Sequence, residues 1–296
     1  MSDKLPSEQA FNLIAVVDWS AAASPGPKRE SPDRCWIGWS DVAGKEGIEY
    51  FRTRHDCRKR LQELARQSGG RALLAFDFPF GYPAGSSLGG GRAAATAIHE
   101  HLISEPDDAN NRFVAASILN QRLSPHPGPF WGHPVGQTHS HLSRTKPPFH
   151  HRGFSEWRIC EALLKKQGFG IMNVWQLLGQ GSVGSQTLTG LYELLNLALQ
   201  LEEDHSVSFW PFETNWDQKL DGIILGEVWP SLSDHQSVDH PIKDARQVTA
   251  CRNDLMTRNR KGHLQEALAA PDLPSDELAA VTSEEGWIIG MNHLIA

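Results

Sequence analysis

Residues 15–19 read Ala-Val-Val-Asp-Trp, and residues 74–78 read Leu-Ala-Phe-Asp-Phe. Each is an apolar run that stops at a carboxylate. Leu13 to Val17 and Arg71 to Phe76 lack polar alternation, which predicts strands buried on both faces. In parallel sheets, ligand sites lie beyond the carboxyl ends of the strands. Neighbouring strands are about 4.8 Å apart, so if these two are neighbours, Asp18 and Asp77 converge. Two adjacent carboxylates repel unless a proton or a cation lies between them. A hard divalent ion with water in its shell suits such a place. The plainer alternative for either residue is a turn aspartate or a helix cap.

The segments around these two strands fit the same scheme. Cys35 to Ser40 and Ile48 to Arg54 predict further strands, joined by a turn over Asp41 to Gly47. Ser20 to Asp33 holds Pro25, Pro27 and Pro32 and reads as a loop. From Asp56 to Gln67 the period changes: Cys57, Leu61, Leu64 and Ala65 share a helical face, and Gly69-Gly70 ends the helix. A crossover of this length returns the chain parallel to an earlier strand. Further on, Gln186 to Leu201 predicts an amphipathic helix. Val207 to Phe212 and Ile223 to Trp229 predict strands, and Asp244 to Met256 a helix. Asp276 to Val281 predicts a short helix, and Trp287 to Ile289 is a short apolar tail. Residues from Gly81 to about His151 show no apolar period and read as loop. The expected fold is α/β, with a core over 11–82 and 156–290. A lid or subdomain rich in His, Gly and Pro is expected over 83–155.

Two further acids join the strand-end pair. Glu227 lies in Ile-Ile-Leu-Gly-Glu-Val-Trp-Pro (223–230), and a charge inside an apolar strand costs several kcal/mol unless paired or metal-bound. It is expected to point toward Asp18 and Asp77. If it instead faces solvent from an edge strand, as Pro230 suggests, Glu213 becomes the better fourth acid. Asp244 opens a helix and shares a face with Val248, Cys251 and Leu255, where its ordinary role is an N-cap.

Taken together, this order of elements resembles the ribonuclease-H-like superfamily, which has three strands, a helix, a fourth strand, and then alternating helices and strands. Asp18, Asp77 and Asp244 match that superfamily's metal-site pattern position by position. The strings Asp77-Phe78-Pro79-Phe80-Gly81, Glu227-Val228-Trp229-Pro230 and Glu285-Gly286-Trp287-Ile288 resemble the family called domain of unknown function 429. The resemblance covers roughly residues 11–82 and 171–290 and says little about 83–155. It implies a ribonuclease-H-like mixed sheet flanked by helices more firmly than it implies a reaction.

Gly179-Gln180-Gly181-Ser182-Val183-Gly184 matches G-x-G-x-x-G before a helix, and Val174 to Leu178 is a candidate strand ahead of it. Glu213 lies further on than the usual spacing of about 20 residues for a ribose-binding acid. A milder expectation is that Gly181, Ser182, Gly184 and Ser185 hold a phosphate or nucleotide through backbone N–H groups. The third expectation is an ordinary Gly-rich entry loop.

Most of the 14 histidines fall in the insertion: His99, His101, His126, His133, His139, His141, His150 and His151. Their spacing matches no standard zinc site, and exposed loop histidines commonly do nothing specific. One of them reaching over the carboxylates would serve as a base or a phosphate contact. Arg144, Lys146 and Arg152, interleaved with Phe130, Trp131 and Phe149, resemble the basic and aromatic surface of a single-strand groove. Arg158 and Glu161 read as an i, i+3 helix salt bridge.

Composition narrows the function. Apolar residues make up 40% and charged residues 21% of 296, which excludes collagen-like, coiled-coil and wholly disordered classes. With 28 Lys and Arg against 35 Asp and Glu, the net charge is -7, unfavourable for a general polyanion binder. Cys35, Cys57, Cys160 and Cys251 show no metal-clip or redox spacing. No apolar run reaches the ~18 residues of a membrane helix, and residues 1–10 lack an apolar leader core. A cytoplasmic setting is expected. There is no Walker A lysine motif and no G-x-S-x-G elbow. The leading expectation is Mg²⁺- or Mn²⁺-dependent phosphodiester hydrolysis or phosphoryl transfer. Asp18, Asp77 and Asp244 would be the ligands and Glu227 would complete the site. The substrate would be a nucleic acid or a small phosphorylated molecule. The alternatives are a nucleotide-binding protein using 179–184 and a non-catalytic binding scaffold.

Overall fold

The computed structural model describes residues 11–151, 153–216 and 218–295. Six strands form one mixed sheet: β1 (Leu13–Asp18), β2 (Cys35–Asp41), β3 (Glu46–Phe51), β4 (Ala72–Phe76), β5 (Val207–Phe209) and β6 (Ile223–Glu227), in the order β3-β2-β1-β4-β6-β5. The β1–β2 and β2–β3 pairs are antiparallel, and β1–β4, β4–β6 and β5–β6 are parallel. The turn expected over Asp41 to Gly47 makes the reversal from β2 to β3. The crossover through helix α1 (Arg54–Gln67) makes the parallel return.

The two apolar runs are buried on both faces because helices cover both sides of the sheet. Ala15, Val17, Leu74 and Phe76 face one core, shared with α1 and with α5 (Val183–Leu201). Ile14, Val16, Leu73 and Ala75 face a second core, closed by α6 (Lys243–Lys261). Each fully buried Val, Leu, Ile or Phe contributes about 1.5–3 kcal/mol relative to an exposed one. The strands therefore could not turn one face to water without losing most of their stabilisation.

Local sequence sets the ends of α1. The Thr53 side chain accepts from the Asp56 N–H at 3.1 Å, an N-cap that starts the helix two residues earlier than its apolar period does. Gly69 and Gly70 follow in the left-handed region at φ 70° and 76° and end it. Between α6 and β2 the fit depends on a missing side chain. A Cβ at Gly38 would lie 2.9 Å from the Val248 carbonyl oxygen, so only glycine lets the helix backbone rest directly on the strand.

The insertion departs from its expected loop character. It contains α2 (Gly91–His99) and α3 (Arg112–Leu123), and the chain beyond it forms α4 (Ile159–Lys166). Ala94, Ala95, Ile98, Ala115, Ala116 and Leu119 are fully buried in the same core as β1 and β4, and α2 packs on α5. The buried faces consist mostly of alanine, a strong helix former that adds little hydrophobic signal to a periodicity. Strand β5 stops at Phe209 rather than Phe212, and β6 stops at Glu227 rather than Trp229. The apolar tail joins the sheet: the Ile289 N–H donates to the Glu227 carbonyl at 2.9 Å. No described helix is long and apolar enough to cross a membrane.

Glu227 is neither on an edge strand nor open to solvent. Its strand lies between β4 and β5, and it is 3% exposed. Arg158, 1% exposed, donates Nη1 to one carboxylate oxygen at 2.8 Å and Nη2 to the other at 2.7 Å. The same guanidinium donates Nε to Glu161 at 2.9 Å and Nη1 to the Glu285 carbonyl at 2.9 Å. The Arg158–Glu161 pair is thus the i, i+3 bridge expected, but it lies in the interior. Removing one partner of a buried pair leaves an uncompensated charge and costs about 3–5 kcal/mol. Arg158→Met is expected to lower unfolding stability by about that amount in urea titrations. Adding Glu227→Gln to it should recover part of the loss, and a single variant as stable as the wild type would contradict this assignment.

Candidate functional site

Asp18 ends β1 and Asp77 follows β4. In the parallel register Val17 stands opposite Phe76, and the Asp77 N–H donates to the Val17 carbonyl at 2.9 Å. The two carboxylates therefore leave adjacent strands at the same sheet end, as the matched runs predict. Asp244 lies in the first turn of α6, which the Gly38 contact holds close to the sheet. Its Oδ2 accepts the Asp33 N–H at 2.7 Å, so it braces the loop after β1 while facing the same space.

All three acids line one cleft of about 770 Å³. Asp18 and Asp77 are partly exposed at its floor, with protein packed around them on the other sides. Arg34, Arg112, Lys243, Gln186 and the 179–182 loop form the walls. The volume is that of a small-molecule site.

The floor holds like charges in a poorly solvated place. Burial raises the Asp18 pKa well above the ordinary carboxylate value, and the charges of Asp77 and Asp244 raise it further. Asp77 is pushed up to about 7 by burial, then by Glu227 and Asp244, with Lys243 opposing. Burial raises Asp244 as well, and its bond from the Asp33 N–H opposes the rise. Among the described residues, no group of three His, Cys, Asp or Glu side chains is gathered in a way that could hold a metal ion. The three acids thus share a cleft without making a preformed cage.

The remaining expected residues separate. Glu227 borders a smaller cavity of about 140 Å³ together with Asp77, but Arg158 and the Phe80 N–H, at 3.0 Å, occupy its carboxylate. Glu213 pairs with Arg92 at 2.6 Å and accepts the Phe209 N–H at 2.9 Å, and it does not line the cleft. Gly181, Ser182 and Ser185 do line it, and Gly184 does not. No strand precedes the glycine loop: residues 174–178 form no regular element. The N–H groups of Val183, Gly184, Ser185 and Gln186 already donate to the carbonyls of Gly181, Gln176, Ser182 and Ser182. The first turn of α5 is therefore spent internally, and those four groups are not free to hold a phosphate.

None of the histidines of the insertion lines the cleft, to which that segment contributes Arg112. Phe130 is fully buried against Tyr82 and Trp175, and Lys146 pairs with Glu156 at 2.5 Å. Phe130 is therefore not available to stack on a base, and Arg152 lies outside the described residues. Sequence reasoning missed Arg112, Arg34 and Lys243. Nothing in the local sequence marks Arg112 and Arg34, which tertiary packing brings to the carboxylates, whereas Lys243 adjoins Asp244 in the chain.

Compared with protein-family models, curated proteins and solved structures, the chain matches none.

Asp77 gives a pH signature. Its folded pKa of about 7 exceeds the ordinary 3.8, so the folded state retains a proton that the unfolded chain releases. Its contribution to stability is complete below about pH 4 and is lost as pH rises through about 7. In chelator-treated buffer, Asp77→Asn should flatten the fall in melting temperature across that window. Parallel melting curves for wild type and variant would refute the shift.

Proposed function

We propose that the cleft binds a divalent cation, Mg²⁺ or Mn²⁺, and uses it to hydrolyse or transfer a phosphate ester. The observation that carries this reading is the pair of strand-end carboxylates, Asp18 and Asp77, side by side at the floor of an open cleft. Mg²⁺ commonly binds through one or two carboxylates, with water and substrate phosphate oxygens filling its shell. Two acids with Asp244 at their side fit that mode better than an all-protein cage. When bound, such an ion would polarise a phosphoryl group and lower the pKa of water.

The protein groups have separate tasks. Asp18 and Asp77 would hold the cation on the rigid ends of two paired strands, where little reorganisation is needed. Asp244, fixed by the Asp33 N–H, would close the third side. Gln186 donates to the Trp19 carbonyl at 2.9 Å and ties α5 to the chain just after Asp18. Lys243 offsets the acidic floor and would neutralise part of the charge of a bound phosphate.

The ribonuclease-H-like reading is supported by the β3-β2-β1-β4 order with a parallel β1–β4 pair, and by an acid on the late helix. Those are the features on which the sequence resemblance rests. A small phosphorylated molecule is favoured over nucleic acid, because the net charge is -7 and Phe130 is packed in the core. Four buried, unpaired cysteines support a reducing, cytoplasmic setting.

Mn²⁺ titration followed by electron paramagnetic resonance tests the reading directly. Wild type should bind Mn²⁺, and Asp18→Asn should weaken binding at least about tenfold, which corresponds to about 1.4 kcal/mol, without unfolding. Phosphate ester hydrolysis should require Mg²⁺ or Mn²⁺ and disappear in Asp18→Asn. A wild type that binds neither ion would leave the scaffold reading in its place.

A further inference from the structure

Arg112 is the first residue of α3, and it lies in the cleft wall. Its guanidinium is held on three sides. It stacks 4.4 Å above the Phe113 ring, Nε donates to the Ser185 hydroxyl at 3.0 Å, and Nη1 donates to Asn110 Oδ1 at 3.0 Å. Ser185 is itself fixed, donating its hydroxyl to the Leu177 carbonyl at 2.6 Å.

What Arg112 lacks is a counter-charge. Among the described residues no carboxylate pairs with it, and Nη2 meets no acceptor there. Nearby Arg54 makes the contrast. It pairs with Asp108 at 3.4 Å and donates to the carbonyls of Ser20, Ala22 and Asp108. Burial, and then the charge of Arg54, pull the pKa of Arg112 down to about 10, still well above neutrality. A half-buried, rigid and unpaired cation beside a cleft is costly unless an anion meets it. The neighbouring helix start cannot supply that function, because its first N–H groups are already used.

We infer that Arg112 is the anion-binding residue of the cleft, and that it takes two oxygens of a phosphoryl group on its free edge. Guanidinium and phosphoryl geometries match in this forked way. The carboxylates of the same cleft repel such a group, and a cation held by them would ease that repulsion. The inference rests on the cleft being the substrate site, but not on the ion being bound.

Calorimetric titration of the full chain with inorganic phosphate at pH 7 tests this, first with chelator and then with Mg²⁺. Arg112→Gln should weaken phosphate binding at least about tenfold in both conditions. Arg112→Lys, which keeps the charge but loses the fork, should fall between, and it serves if the first variant does not fold. Asp18→Asn, which removes one carboxylate charge from the same cleft, should strengthen metal-free phosphate binding and lose the enhancement by Mg²⁺. If Arg112 controls phosphate binding while Mg²⁺ has no effect, the metal reading fails and this inference stands. It is overturned if a folded Arg112→Gln binds phosphate as the wild type does. Acetate binding more tightly than phosphate, or no phosphate binding by the wild type in either condition, would overturn it as well.

Discussion

The Arg158 guanidinium is the constraint on which the cleft depends. It joins the end of β6 through Glu227, the start of α4 through Glu161, and the C-terminal segment through the Glu285 carbonyl. Glu227 in turn accepts the Phe80 N–H, three residues beyond Asp77. Glu285 adds bonds from the N–H groups of Ala84 and Ile159. The chain leaving β4 is thus tied to a charge cluster in the protein interior. Ion pairs buried this deeply are weak sources of net stability, because both charges lose water. What they supply is a demand for one arrangement: any other leaves a carboxylate buried without a partner.

That arrangement also separates two kinds of acid that lie close together. Glu227 stands opposite Phe76 in the register, so it is a near neighbour of Asp77. With Arg158 in place its charge is compensated locally, and Asp77 still feels it. The like-charge strain is therefore left on Asp18, Asp77 and Asp244, the three acids that face open space. In the same cleft lining Arg112 has the reverse character, positive and, among the described residues, paired with no carboxylate. The cleft thus carries both signs of charge, with Asp18, Asp77 and Asp244 beside Arg34, Arg112 and Lys243 in one lining.

The legible part of this site was the part encoded by local pattern. Asp18 and Asp77 are visible because each ends a run whose burial on both faces can be read from apolar residues alone. Asp244 is visible because helical spacing places it with Val248, Cys251 and Leu255. Glu227 shows the same local pattern, while its pairing with Arg158, 69 positions away, is one that no local feature reveals. The glycine motif has the right spacing, but the N–H groups of Gly184 and Ser185 are bonded within the chain, a distinction that only backbone geometry can make. Helices α2 and α3 escaped notice because alanine contributes close packing without a strong hydrophobic period. Arg112 was illegible because its meaning comes from a missing counter-ion, and an absence in three dimensions has no sequence signature.

Gly38 sets a spacing that the cleft inherits. Because α6 rests backbone-to-backbone on β2 there, the distance between Asp244 and the strand ends is fixed by the absence of one methyl group. A single carbon at that position would act as a shim, lifting the near end of α6 and widening the jaw in which the acids sit. The aperture of the cleft is thus gauged by a residue that never touches its contents. Close relatives that differ only at position 38 would differ in the reach of the third acid, even with every cleft-lining side chain unchanged.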